Sequence, residues 1–332
     1  MTISLRDGGQ YSRKGRMNKF PKHVATWVIV TMMMNVLFAT TNAHAGGGLH
    51  DDPDFQAAAS AEKRCDWETL HTLGLSLRAK YPKGIIGYLA TGDAAAHLGR
   101  YEDAATSYRE VITLEPRYAD AWYSLGLTLC NQDKLSEAKT AFQKTVELEP
   151  KHTAAWKCLG ALFRNEGKYG NAIDTHQRAL ALDRKNPEVW YEIGMTMGSM
   201  GWNEGAANAF RRAVALNRRY AEAWAALGYT LGAQAKYNEA TVAYRRALLL
   251  KPDDADSWQY LGDALLVQAK LKESVEAYHQ AIKRKSDNPH VWQGLAVAYT
   301  RLGLASEAQS AFTVMEKLAP NLAEEMLAER EP

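Results

Sequence analysis

Apolar and polar positions along this chain repeat on two scales. On the shorter scale they follow helical spacing. Trp122, Leu125, Gly126 and Leu129 fall at i, i+3, i+4 and i+7 on one face of a helix, and Ala138, Phe142 and Thr145 mark one face of a second. On the longer scale the whole pattern returns every 34 residues, so that Trp122, Trp156, Trp190, Trp224, Trp258 and Trp292 share one register. Three residues after each tryptophan comes an aliphatic residue and then a small one: Gly126, Gly160, Gly194, Gly228, Gly262, Ala296. Later in the period stand Ala138, Ala172, Ala206, Ala240, Ser274 and Ala308, followed by Phe142, His176, Phe210, Tyr244, Tyr278 and Phe312.

Each period predicts two helices joined by a breaker, often glycine (Gly99, Gly167, Gly201, Gly303), the residue that suits the position just past a helix C-terminus. Units of this length, each leaving one apolar face uncovered, bury it by stacking into a solenoid. Counted from Ile85, seven units run 85–118, 119–152, 153–186, 187–220, 221–254, 255–288 and 289–322; the first has Tyr88 in the tryptophan place. Glycine inside a helix costs about 1 kcal/mol against alanine. Its recurrence therefore predicts a close helix passage, with Ala138, Ala206 or Ala240 of the second helix meeting the glycine and the aromatic filling a wider gap. Residues 46–53 read as a flexible lead-in, 54–84 as an irregular helical pair capping the N-terminal end, and 323–332 as a C-terminal capping segment.

The N-terminal segment has a different character. Residues 1–23 carry Arg6, Arg13, Lys14, Arg16, Lys19 and Lys22, Val24 to Ala39 is apolar, and Ala43-His44-Ala45 supplies a small-x-small cleavage pattern before Gly46. That is the layout of a secretory signal peptide over residues 1–45, of ordinary length if translation starts at Met17. It predicts an exported chain, with the periplasm as its compartment, or one anchored to the inner membrane if the leader stays uncleaved. Without residues 1–45 the formal charge changes from +2 to −3, so the basic balance belongs to the leader and nothing argues for nucleic acid.

Catalytic and metal chemistry find no foothold. The nine histidines are scattered with no H-E-x-x-H, there is no G-x-S-x-G, and the glycines hold a packing register rather than forming a phosphate loop. No enzyme activity, cofactor or metal is expected, and His176, in the aromatic slot, is expected to be a packed core residue. Three cysteines, Cys65, Cys130 and Cys158, leave at least one thiol without an intramolecular partner; Cys130 and Cys158 lie on neighbouring first helices, where either a disulfide or two buried thiols would fit.

The motif W-x-x-L-G-x-x-Y…A-x-x-x-F…A…P, present as Trp122, Leu125, Gly126, Leu129, Ala138, Phe142, Thr145 and Pro150, resembles the tetratricopeptide repeat family over residues 85–322. The resemblance implies an all-α, right-handed superhelical solenoid with a concave groove lined by first helices. It implies ligand-facing positions at Tyr123, Asn131, Lys157, Arg164, Asn165 and Tyr191, and at Met195, Tyr229, Gln259, Asp263 and Gln293. The aromatics would supply area to an extended segment of a protein or peptide partner, and Lys157 and Arg164 would hold a carboxylate. The family's carboxylate clamp is not matched, since Lys157 is followed by Ala161, and the asparagine ladder of its glycosyltransferase members is missing at the sixth position. A second strip, Lys144, Arg178, Arg211, Arg212, Arg245 and Arg246, falls at one place on successive second helices. The expected function is an exported scaffold for a partner protein in cell-envelope assembly. The alternative is an accessory to envelope polysaccharide or peptidoglycan assembly that touches glycan or anionic headgroups through this basic outer face, which with an uncleaved leader would be the only membrane contact.

Overall fold

A computed structural model describes residues 51–322. The leader, its cleavage site and the C-terminal capping segment lie outside the described residues. Two compact parts divide the chain between Arg184 and Lys185. In the first, the helices are α1 (Pro53–Lys63), α2 (Trp67–Lys80), α3 (Ile86–His97), α4 (Tyr101–Leu114), α5 (Ala119–Asn131), α6 (Leu135–Leu148), α7 (Thr153–Asn165) and α8 (Tyr169–Leu182). In the second they are α9 (Pro187–Ser199), α10 (Asn203–Leu216), α11 (Ala221–Ala233), α12 (Tyr237–Leu250), α13 (Ala255–Val267), α14 (Leu271–Arg284), α15 (Pro289–Leu302) and α16 (Ala305–Leu318). Within each part every helix packs against the one before and the one after it, so each is a stack of helical hairpins. The fold is all-α.

The turn inside each hairpin needs one residue in the left-handed region. Gly99, Gly167, Gly201 and Gly303 supply it at φ between 73 and 77°, and Asp133, Ala235 and Ala269 adopt it at 58–60° without glycine's freedom. Cys65 does the same at φ 55°, at the equivalent place in α1–α2. The N-terminal pair is therefore not irregular; its turn keeps the register of the repeats. In the turn between α7 and α8, the Lys168 N–H closes back on the Phe163 carbonyl at 2.9 Å, satisfying a carbonyl the helix end would leave open.

Two contacts explain the 34-residue pattern. In five units the tryptophan donates its indole N–H to the carbonyl six residues earlier: Trp122 to Pro116 at 3.0 Å, Trp156 to Pro150 at 2.9 Å, Trp224 to Arg218 at 3.1 Å, Trp258 to Pro252 at 2.8 Å and Trp292 to Ser286 at 2.9 Å. The bond ties the start of these first helices to the loop before them. The recurring glycine faces the aromatic of the second helix rather than its alanine. A Cβ on Gly228 would lie 2.8 Å from the Tyr244 ring, and one on Gly126 or Gly262 would lie 2.7 Å from Phe142 or Tyr278. The expected Gly228–Ala240 contact is thus corrected: the ring is too broad for a side chain on both helices, and glycine cedes the space. Phe142, Phe210, Tyr244, Tyr278 and Tyr108 are fully buried, as is His176 in the same slot.

Candidate functional site

The residues expected to line a groove sit on first helices, and the structure places them in two groups. Tyr123, Asn131, Lys157, Arg164 and Asn165 belong to the first part, and Tyr191, Met195, Tyr229, Gln259, Asp263 and Gln293 to the second. Several do not project. Tyr123, Lys157, Tyr191, Met195 and Gln259 are only 7, 8, 5, 4 and 5% exposed. For three of them the reason is a contact the sequence reading missed: the last residue of the unit, just before the next first helix, lies over the fifth position. His152 packs on Tyr123 with ring centroids 4.5 Å apart, Tyr220 on Tyr191 at 5.2 Å, and the Asn288 amide donates to Gln259 Oε1 at 2.7 Å. The column Tyr118, His152, Asn186, Tyr220, Asp254 and Asn288 was visible at the repeat period, but it carries no fixed chemistry and so gave no motif.

The remaining positions differ in access. Asn131 is half-buried and donates to the Leu127 carbonyl at 3.0 Å, Arg164 and Gln293 are half-buried, and Asn165 is exposed. Tyr229 is half-buried, its ring edge-on to Tyr260 at 5.4 Å. Asp263 accepts from the Tyr278 hydroxyl at 2.7 Å, and burial pushes its carboxyl up to about 7.

The first-helix face of residues 185–322 is acidic as well as aromatic. The Tyr220 phenol is raised by burial first, then by Tyr191 and the negative field of Glu192, Glu188 and Glu222. Tyr260 is raised by burial and then by Tyr229, Asp256, Asp263 and Asp254. Lys251 reaches Glu222 at 3.4 Å. The second position of successive units supplies Glu188, Glu222 and Asp256, a column the sequence reading passed over.

Half of the basic strip of the second helices is ion-paired. Arg211 meets Glu239 at 3.0 Å and Arg245 meets Glu273 at 2.5 Å, each reaching one repeat ahead, and Arg109–Glu137 repeats the step at 3.3 Å in the first part. Lys144 pairs with Glu147 at 2.8 Å, and the Arg178 guanidinium lies 5.3 Å from the Trp156 ring centre. Arg212 and Arg246 are exposed. Exposed pairs of this kind contribute about 0–1 kcal/mol each, so their main effect is to cancel charge.

Asp120, Glu149 and His152 bring ligand atoms within 4.8 Å of one another. His152 Nδ1 already accepts from the Ala155 N–H at 3.1 Å, capping α7, so the ring proton sits on Nε2, 3.6 Å from Asp120 Oδ1. A neutral ring in that tautomer has no lone pair left for a metal. All three cysteines are free thiols, and burial, followed by Cys158, pushes the Cys130 thiol up to about 12.

A stack of helical hairpins held by a tryptophan latch and a glycine–aromatic contact defines a repeat scaffold, whose long faces rather than an enclosed cavity meet other molecules. Family models agree on which one. A tetratricopeptide repeat model matches residues 119–152, a TPR repeat model matches 92–133, and the model of the middle TPR-like domain of cilia and flagella-associated protein 70 matches 162–319. The chain is a tetratricopeptide repeat protein. No curated protein matches it. Among solved structures it is similar to a chain of the APC/C Cut9–Hcn1 hetero-tetramer, at TM-score 0.59 and 19% identity over 84% of this chain and 57% of that one. It is also similar to PilF of Pseudomonas aeruginosa, at TM-score 0.58 and 19% identity over 64% of this chain and 97% of that one. A tetratricopeptide repeat protein of Cytophaga hutchinsonii follows, at TM-score 0.54 and 17% identity over 73% and 99%. At these identities the likeness is one of fold, and the chain spans little more than half the length of the first.

Proposed function

We propose that the chain is an exported scaffold that holds a segment of a partner protein along the first-helix face of residues 185–322, in the service of cell-envelope assembly. The observation that carries this reading is the joining of half-buried tyrosines, Tyr229 and Tyr260, to the carboxylates of Glu222 and Asp256 on one preorganised surface. A rigid surface lowers the ordering cost of a bound segment. Its chemistry favours a segment bearing Lys or Arg, whose charge the carboxylates meet and whose stem the rings cover. This replaces a carboxylate held by Lys157 and Arg164, because Lys157 is buried. Export rests on the leader pattern of residues 1–45, and N-terminal sequencing of envelope material is expected to start at Gly46. Contact with glycan or headgroups through the second helices loses support, since Lys144, Arg211 and Arg245, half of the strip that suggested it, are ion-paired.

The test is crosslinking capture from the envelope with the full chain, comparing Tyr229→Ala/Glu222→Gln/Asp256→Asn with Arg212→Ala. The triple variant is expected to lose the partner while its helical circular dichroism persists, and the arginine variant to keep it. The reverse result would move the interaction to the second-helix face.

A further inference from the structure

Residues 185–322 carry a second surface whose chemistry departs from its own repeat. On the second-helix side a furrow of about 670 Å³ runs between α10 and α12. Its floor is Trp224, Leu227 and Leu231 of α11, and its wall includes Val242, which is 60% exposed. Arg211, Arg218 and Arg246 line it against a single carboxylate, Glu239. Arg211 is spent on Glu239 at 3.0 Å, and no carboxylate among the described residues lies within ion-pair distance of Arg218 or Arg246.

The next repeat supplies an internal comparison. Between α12 and α14 a furrow of about 420 Å³ has the same construction, with Trp258, Leu261 and Leu265 below and Arg245 paired to Glu273. There the residue in register with Arg218 is Pro252, Glu276 replaces Val242, and Gln280 replaces Arg246. One arginine thus faces two glutamates where the first furrow sets three arginines against one. Backbone and floor are shared, so the charge difference is not a demand of the fold.

We propose that the furrow between α10 and α12 docks an acidic segment of a partner protein through an apolar anchor side chain. The anchor would lie on Trp224, Leu227 and Leu231 beside Val242, displacing water from apolar surface. Carboxylates on either side of it would meet Arg218 and Arg246, whose planar guanidinium groups match a carboxylate in a two-bond fork. A lipid or glycan layer would meet the rim cations but leave the apolar floor unused, and this selects a protein segment. The site is separate from the first-helix face and does not depend on the function proposed for it.

The probe is a fluorescein-labelled synthetic peptide of aspartates flanking leucine and phenylalanine, with a lysine-for-aspartate version as its counterpart, read by fluorescence anisotropy on the full chain. The aspartate peptide is expected to bind and the lysine peptide not. Arg218→Glu/Arg246→Glu is expected to weaken binding by about tenfold or more, on the order of 1.4 kcal/mol, while Arg212→Glu, outside the furrow, leaves it unchanged. Pro252→Arg/Glu276→Val/Gln280→Arg, which rebuilds the first furrow's chemistry one repeat on, is expected to raise the stoichiometry from one peptide to two, and it decides the matter even if the charge reversal unfolds the chain. Equal weakening by Arg212→Glu, an unchanged stoichiometry in the rebuilt variant, or binding to vesicles of anionic phospholipid but not to the aspartate peptide would each overturn the proposal.

Discussion

The N-terminal hairpin α1–α2 and the repeat α5–α6 share a register and solve their packing in opposite ways. In α5–α6 the small residue, Gly126, is on the first helix and the large one, Phe142, is on the second, so the ring fills its own hairpin. In α1–α2 the sizes are exchanged along the second helix, while Ala58 keeps the first helix small. Leu70 occupies the place of Ala138, fully buried in one cluster with Ala58, and Gly74 stands where the aromatic would be. With no ring to receive, the hairpin gives its space to the helix that follows. A Cβ on Gly74 would lie 2.9 Å from the Thr91 backbone nitrogen, and one on Gly87 would lie 2.6 Å from that of Arg78. Here backbone meets backbone, whereas in the repeats backbone meets a ring. The slots of the pattern specify volumes, and a volume removed from one helix pair reappears as closeness in the next.

The largest effect is expected where nothing can move. Gly87→Ala gains about 1 kcal/mol of helix preference but drives a methyl into the Arg78 backbone, and a net loss of about 3 kcal/mol is expected, at the upper end for overpacking. Urea unfolding of the variant measures it, and adding Arg78→Ala, which removes the Cγ at 2.8 Å, should give only partial relief, because the backbone nitrogen at 2.6 Å stays in place. An unchanged midpoint would refute the backbone contact.

A ring can give way, so the second effect is smaller and can be rescued. Gly228→Leu is expected to cost about 1–3 kcal/mol, and combining it with Tyr244→Leu should recover part of that cost. A double-mutant cycle in which the two changes simply add would show that Gly228 and Tyr244 are not coupled.

The third prediction concerns a buried acid of α3. Asp93 is 5% exposed where α5 carries Leu127, and burial raises its carboxyl to about 6 against the pull of the Tyr108 hydroxyl at 2.7 Å. Asp120 raises it further. Glu62, itself raised to about 7 by burial and then by Asp93, adds a loss of stability of its own with the same sign. Between the ordinary value of 3.8 and about 6 the folded chain keeps a proton that the unfolded chain releases. Stability should therefore fall as pH rises through that window and stay lower above it. Asp93→Asn keeps an acceptor for Tyr108 and should flatten this slope, leaving the protein more stable at pH 8 by about 1–2 kcal/mol. Thermal melts from pH 4 to pH 8 check it; a variant with the wild-type slope would exclude Asp93 as the source.

These contrasts mark what could be read from the residues. The tryptophan register, the helix pairs and the buried slot of His176 follow from the spacing alone, because apolar periodicity encodes which faces are covered. The glycine contact was misassigned, since a pattern records that a helix passes closely and not which side chain fills the gap. The first-helix face was harder still. Tyr123, Tyr191 and Gln259 stand at positions open in principle, and they are covered by His152, Tyr220 and Asn288, which lie at the far end of the same unit and belong to no motif. The acidic column of Glu188, Glu222 and Asp256 and the furrow beside Arg218 show only when equivalent positions are compared for charge rather than for size.

The tryptophan latch has a consequence for how such a chain is inherited. The contacts that complete one unit run from the Pro116 carbonyl, held by Trp122, to His152, lying on Tyr123, a span longer than the 34-residue period itself. Gene segments of one period, wherever they are cut, therefore carry broken ends that only a neighbouring copy can complete. An array of this kind can lengthen by duplication inside itself at no cost in contacts, while a single copy moved to another gene would arrive without its latch or without its lid.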